Sequence, residues 1–180
     1  DIRAFPPVAP ALPGLDSMHE LNVRTYVHYD GVPGVWFFSL DVNSLIAATT
    51  ARAFFHLPYH HAEIDFSGKR SFKFHAKRSS GAEADLRAAW TVGDELPVSQ
   101  PGTREFFLTE RYCLYAESDG EIYRARIFHQ PWPLRQATLK SLATNIFEVN
   151  RLPVPKTEPI VHYAEEVNVD IWYLEAVEDA

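Results

Sequence analysis

Short runs of alternating polar and apolar residues, each closed by a turn or a proline, limit what this chain can fold into. Tyr59, His61, Glu63 and Asp65 alternate with His60, Ala62, Ile64 and Phe66. After Ser67-Gly68-Lys69, Ser71, Lys73, His75 and Lys77 alternate with Phe72, Phe74 and Ala76. A period of two marks a strand with one covered face, because successive side chains leave a strand on opposite sides. The glycine-containing turn makes the two runs a hairpin. Thirteen prolines against 8 glycines keep the elements short and argue against long helices.

The same reading extends along the chain. Leu21–Tyr29 is a strand with Leu21, Val23, Thr25 and Val27 on one face and Glu20, Asn22, Arg24, Tyr26 and His28 on the other. The Asp30-Gly31 turn leads to a buried strand over Gly34–Leu40. A helix is predicted from Asn43 to Phe55, capped by Asn43 or Ser44 and barred from continuing by Pro58. Further strands fit Ala82–Trp90, Arg111–Glu117, Glu121–His129, Leu134–Leu142, His162–Tyr163 and Val167–Leu174, with helical turns at Thr103–Leu108 and Ala143–Val149. Residues 1–18 read as an extended arm and residues 19–180 as one domain. Meandering strands must be closed or covered to hide their edges. The expected fold class is therefore mainly β with short helices (α+β), as a closed antiparallel β-barrel.

Charge and composition exclude several functions. The net charge of −7 repels phosphate backbones, and no basic stripe compensates, so no nucleic-acid partner is expected. No apolar run reaches membrane-span length and no signal pattern opens the chain; no membrane partner and a cytoplasmic location are expected. The single Cys113 rules out an internal disulfide framework and reads as a small buried residue. There is no phosphate loop, nucleophile elbow or dinucleotide fingerprint, so no cofactor is expected. His56, His60, His61 and His75 with Glu63 lack a metal-ligand spacing, and no metal is assigned. The chain opens at Asp1 without a methionine, which points to a removed tag or to missing upstream sequence.

Several segments carry a family signature: Glu20–Val27, Gly34–Asp41, Ala51-Arg52 leading to His56-Leu57-Pro58-Tyr59, Leu108–Tyr112 and His129–Leu134. Together they resemble the YqjF-like family (DUF2071-type) of the acetoacetate decarboxylase-like superfamily. The resemblance implies that superfamily's fold. It also implies strands upstream of Asp1, so that barrel closure needs those strands or a partner chain. Laid alongside the decarboxylase hallmark, Arg52 and Pro58 are kept, the Schiff-base lysine falls on Tyr59, and the neighbouring lysine falls on His60. A phenol cannot form an imine, so amine-dependent decarboxylation is rejected.

The candidate site residues follow. Glu20, Asn22 and Arg24 share one strand face, where Arg24 can clamp a carboxylate and Glu20 act as acid or base; the ordinary alternative is a solvated face or a structural ion pair. The resemblance puts Tyr59 where the superfamily keeps its chemistry, and of the two neighbouring histidines only His61 shares its face, giving Glu20, Tyr59 and His61 as catalytic candidates. Arg52, Glu110, Arg111, His129 and Trp132 join Asn22 and Arg24 as ligand-binding candidates, with the proline-flanked Trp132 also reading as a core plug. The expected partner is a small organic acid or oxo compound. Acid–base chemistry on it stands beside two rivals: a non-catalytic binding module and a barrel-completing structural subunit, a homo-oligomer among them.

Overall fold

The computed structural model describes residues 2–5 and 18–177, with backbone only at residues 2–5, 47 and 50. In chain order the elements are β1 (Ile2–Phe5), β2 (Glu20–Tyr29), β3 (Val32–Val42), α1 (Leu45–Phe55), β4 (Tyr59–Gly68), β5 (Ser71–Arg78) and β6 (Asp85–Glu95). They continue with α2 (Arg104–Thr109), β7 (Cys113–Ser118), β8 (Glu121–His129), β9 (Arg135–Thr144), α3 (Ile146–Val149), β10 (His162–Tyr163), β11 (Val169–Trp172) and β12 (Glu175–Ala176). The protein is mainly β with short helices. Of the arm expected over residues 1–18, residues 2–5 form a strand; residues 1 and 6–17 lie outside the described residues.

The organisation turns on β3. One of its edges is filled by β2, antiparallel from Glu20 opposite Val42 to Tyr29 opposite Val32. Its other edge is divided. Leu40–Val42 pairs parallel with Tyr59–His61, and Val35–Trp36 pairs parallel with Leu114–Tyr115. Gly34 permits the second junction, since a Cβ there would lie 2.8 Å from the Cys113 carbonyl oxygen. From these junctions two arms run outward, β4-β5-β6-β9-β10 and β7-β8-β11-β1.

This arrangement corrects two expectations. The sheet is not wholly antiparallel, because β3–β4, β3–β7 and β1–β11 are parallel ladders. Nor does a ladder close it among the described residues, where the path ends at β1 and β10 and β2 pairs only with β3. Alternating patterns fix faces but not edge partners, so they could not show that both arms leave from one edge of β3. Boundaries also move: β6 runs over Asp85–Glu95 where Ala82–Trp90 was expected, and β7 starts at Cys113, not Arg111. Ala143 and Thr144 pair with Arg87 and Leu86 as the end of β9, so the last helix is confined to Ile146–Val149. The closing run over 167–174 is shortened to β11 at Val169–Trp172, and a further short strand, β12, follows at Glu175–Ala176.

A bulge between Val23 and Arg24 leaves Phe38 opposite no β2 residue and turns Phe37 and Val35 to the side of Leu40. There they pack with Leu57, Leu114, Ala116 and Ala125 in a core to which Tyr26 and Tyr59 also contribute. The register sets Asn22 opposite Leu40 and Leu40 opposite Tyr59, so the polar face of β2 looks toward this core. The outer arm has its own packing, a stack in which Phe72 lies between Phe66, Trp90 and Tyr163.

Candidate functional site

β2 and β4 are not hydrogen-bonded to each other, but β3 between them holds both in register. Glu20 at the start of β2 thereby meets Tyr59 at the start of β4. The Tyr59 phenol donates to Glu20 Oε2 at 3.0 Å, and Asn22 Nδ2 donates to Oε1 at 3.2 Å. Burial raises the Glu20 carboxyl above its ordinary value, opposed by the hydrogen bonds from Asn22 and Tyr59 and by the Arg24 charge. Burial and the adjacent Glu20 push the Tyr59 phenol far upward, so it stays protonated. The result is a hydrogen-bonded carboxyl and phenol, both raised by burial.

One turn along β2, the same face is cationic. Arg24 Nη2 and the Tyr26 hydroxyl both donate to the Leu108 carbonyl, at 3.3 and 3.0 Å. That carbonyl belongs to the last turn of α2, where main-chain acceptors lack helical partners. Thr103 caps the other end, its hydroxyl accepting from the Phe106 N–H at 3.2 Å. Arg111, just past α2, lies over the Phe107 ring at 4.4 Å and the Tyr26 ring at 5.3 Å.

Beyond it, the buried Glu110 accepts from the Tyr112 hydroxyl and from Thr109 Oγ1, with the Trp132 N–H at 3.4 Å. The bond to Glu110 lifts the Tyr112 phenol to about 12. His129 stacks on Tyr112 at 4.8 Å and meets the edge of Trp132 at 5.9 Å. The Trp132 indole N–H is buried with no acceptor among the described residues.

Other predicted residues stand apart. His61 shares the Tyr59 face, but its Nδ1 is engaged by Ser79 Oγ at 2.7 Å, and no hydrogen bond joins it to Glu20 or Tyr59 among the described residues. Arg52 is exposed on α1, without a hydrogen bond or ion pair among the described residues. Cys113 is buried, and burial raises its thiol.

Sequence reasoning missed Asp41 and Arg78. They form a two-pronged buried ion pair, with Nη2 to Oδ2 at 2.9 Å, beside His60, whose pKa is lowered by burial and then by Arg78. The signal was present in Asp41, the one charged residue in the run Val35–Val42. Two surface clefts of about 400 and 580 Å³, one by Lys69 and Arg135, the other by Val98 and His162, contain none of the predicted site residues.

The fold class this arrangement defines is acetoacetate decarboxylase-like. The chain matches the acetoacetate decarboxylase of Legionella pneumophila subsp. pneumophila str. Philadelphia 1 at a TM-score of 0.56 and 14% identity, over 90% of this chain and 67% of that one. It also matches the enduracididine biosynthesis enzyme MppR, complexed with pyruvate, at 0.51 and 12%, over 84% of this chain and 60% of that one. At such identities the likeness is one of fold. The chain belongs to the DUF2071 family of uncharacterized conserved proteins, whose model matches residues 2–168. It is 36% identical over 171 residues to the uncharacterized protein YqjF of Bacillus subtilis (strain 168), covering 92% of this chain and 69% of that protein.

Proposed function

We propose that the chain binds a small organic acid or oxo compound on the Glu20–Arg24 face of β2 and exchanges protons with it without an amine. The observation that carries this reading is the hydrogen-bonded pair of Glu20 and Tyr59 at 3.0 Å. A carboxyl raised by burial can take a proton from carbon α to a carbonyl and return it. The phenol, held protonated, can polarise the carbonyl oxygen once its single O–H turns from Glu20 to the ligand, and Arg24 can orient a carboxylate. MppR, of the same fold class, is complexed with pyruvate, an oxo acid of this size. Lys69, Lys73 and Lys77 are exposed on the β4–β5 hairpin, away from this pair, which supports a lysine-independent route. In this reading the two arms wall a barrel around the ligand, and a reducing cytoplasm suits the lone Cys113.

The test is deuterium incorporation at the methyl group of pyruvate in heavy water, followed by proton NMR. Catalysed exchange that disappears in Glu20→Gln supports acid–base work. Thermal stabilisation by small carboxylates, lost in Arg24→Ala but without any exchange, would make the chain a binding module instead. Absence of both would remove the acid-binding reading.

A further inference from the structure

We propose that the ligand is a short dicarboxylate, held at one end by Arg24 and at the other by Arg111. This rests on the acid-binding reading above and narrows it. The two guanidinium carbons lie 5.9 and 5.3 Å from the centroid of one ring, that of Tyr26. Both are seated on backbone carbonyls at the end of α2, Arg24 on Leu108 and Arg111 Nη1 on Glu110, at 3.3 and 2.9 Å.

A guanidinium offers about five N–H donors, and each of these makes one side-chain hydrogen bond among the described residues. The Arg111 Nε is buried without an acceptor there. Neither arginine has a carboxylate within 4.0 Å among the described residues. The Glu110 carboxylate, adjacent in sequence to Arg111, is occupied by Tyr112, Thr109 and the Trp132 main chain. Glu20 is the acid whose field reaches Arg24, but its carboxylate is held by Asn22 and Tyr59 and not by Arg24.

Two like charges around one half-buried ring therefore lack a direct carboxylate partner among the described residues. Their seats are fixed by main-chain carbonyls and aromatic stacking, not by acids. A monocarboxylate would leave one cation unmatched. A dicarboxylate gives each guanidinium a planar partner to grip. Phe107, beneath Arg111, is half exposed, so solvent reaches this end of the site.

The experiment titrates the full chain by calorimetry with chain-length-matched pairs: malonate and propionate, succinate and butyrate, glutarate and valerate. In at least one pair the dicarboxylate should bind about tenfold tighter or better. Arg111→Gln should abolish that preference while leaving the monocarboxylate within about twofold. Arg111→Lys, which keeps the charge and the stacking stem, should restore part of the preference and guards against misfolding of the glutamine variant. Equal affinities within every pair, or a preference that survives Arg111→Gln, would overturn the dicarboxylate assignment while monocarboxylate binding kept the acid-binding reading. Failure of every acid to bind would remove both.

Discussion

Arg78 grips Asp41 with two hydrogen bonds across 37 residues of sequence, and solvent reaches almost nothing of either side chain. The pair sits where the outer arm leaves β3, since Asp41 is opposite His60 and Arg78 is opposite Ala62. It acts as a rivet between β3 and the β4–β5 hairpin. Asp41→Ala should cost about 3–5 kcal/mol, because a buried guanidinium is left without its counter-charge. Urea unfolding will show this as a lower midpoint at unchanged slope. Replacing both residues together, Asp41→Leu with Arg78→Met, should recover most of the loss.

Tyr59→Phe removes one of the hydrogen bonds that pull the Glu20 carboxyl down against burial. The Glu20 pKa should therefore climb further in the variant, which a carboxyl carbon NMR titration reads directly. Asn22→Leu should shift it in the same direction. A fall in either variant would contradict the arrangement described. Proton exchange on pyruvate should drop about 100-fold or more in Tyr59→Phe, with carboxylate affinity nearly unchanged.

Stability should carry a pH signature of the same group. The folded chain holds the Glu20 proton more tightly than the unfolded chain, whose carboxyl titrates near 4.5. Its contribution is complete below that value and is lost as pH rises toward the folded pKa. Glu20→Gln should lack this decline. The variant should gain on the parent as pH is raised from 4 to 8. Denaturant midpoints across that range decide the matter.

The cap of α2 links local structure to the seat of Arg24. Thr103→Ala removes the acceptor for the Phe106 N–H and should cost about 1 kcal/mol. Because the far end of this helix supplies the Leu108 carbonyl to Arg24 and Tyr26, carboxylate affinity should weaken several-fold as well. Hydrogen exchange at the α2 amides should accelerate in the variant while β5 and β6 remain protected.

Much of this was legible because strands declare themselves by alternation. β8 occupies the very residues expected, Glu121–His129, since Asp119-Gly120 marks its start and Pro131 follows its end. The face shared by Glu20, Asn22 and Arg24 was readable for the same reason, and the family resemblance drew attention to Tyr59. Edge pairing was hidden. Nothing in the residues of β3 says that its partners are β4 and β7 on one side, because backbone hydrogen bonds carry no side-chain signature. The Leu108 carbonyl was invisible on the same ground. His61 was drawn to the candidate site by its face alone. Its ring is turned to Ser79, on the loop after β5, a contact that spacing cannot reveal.

The divided edge of β3 also orders events during synthesis. Residues 20–78 contain β2 through β5, so the carboxyl–phenol contact and its rivet need nothing made later. The seats of Arg24 and Arg111 wait for α2 and for β7, whose parallel pairing with Val35 closes a far longer loop and is the slower step. On an emerging chain, the Glu20–Tyr59 half of the face can therefore form before the Arg24–Arg111 half.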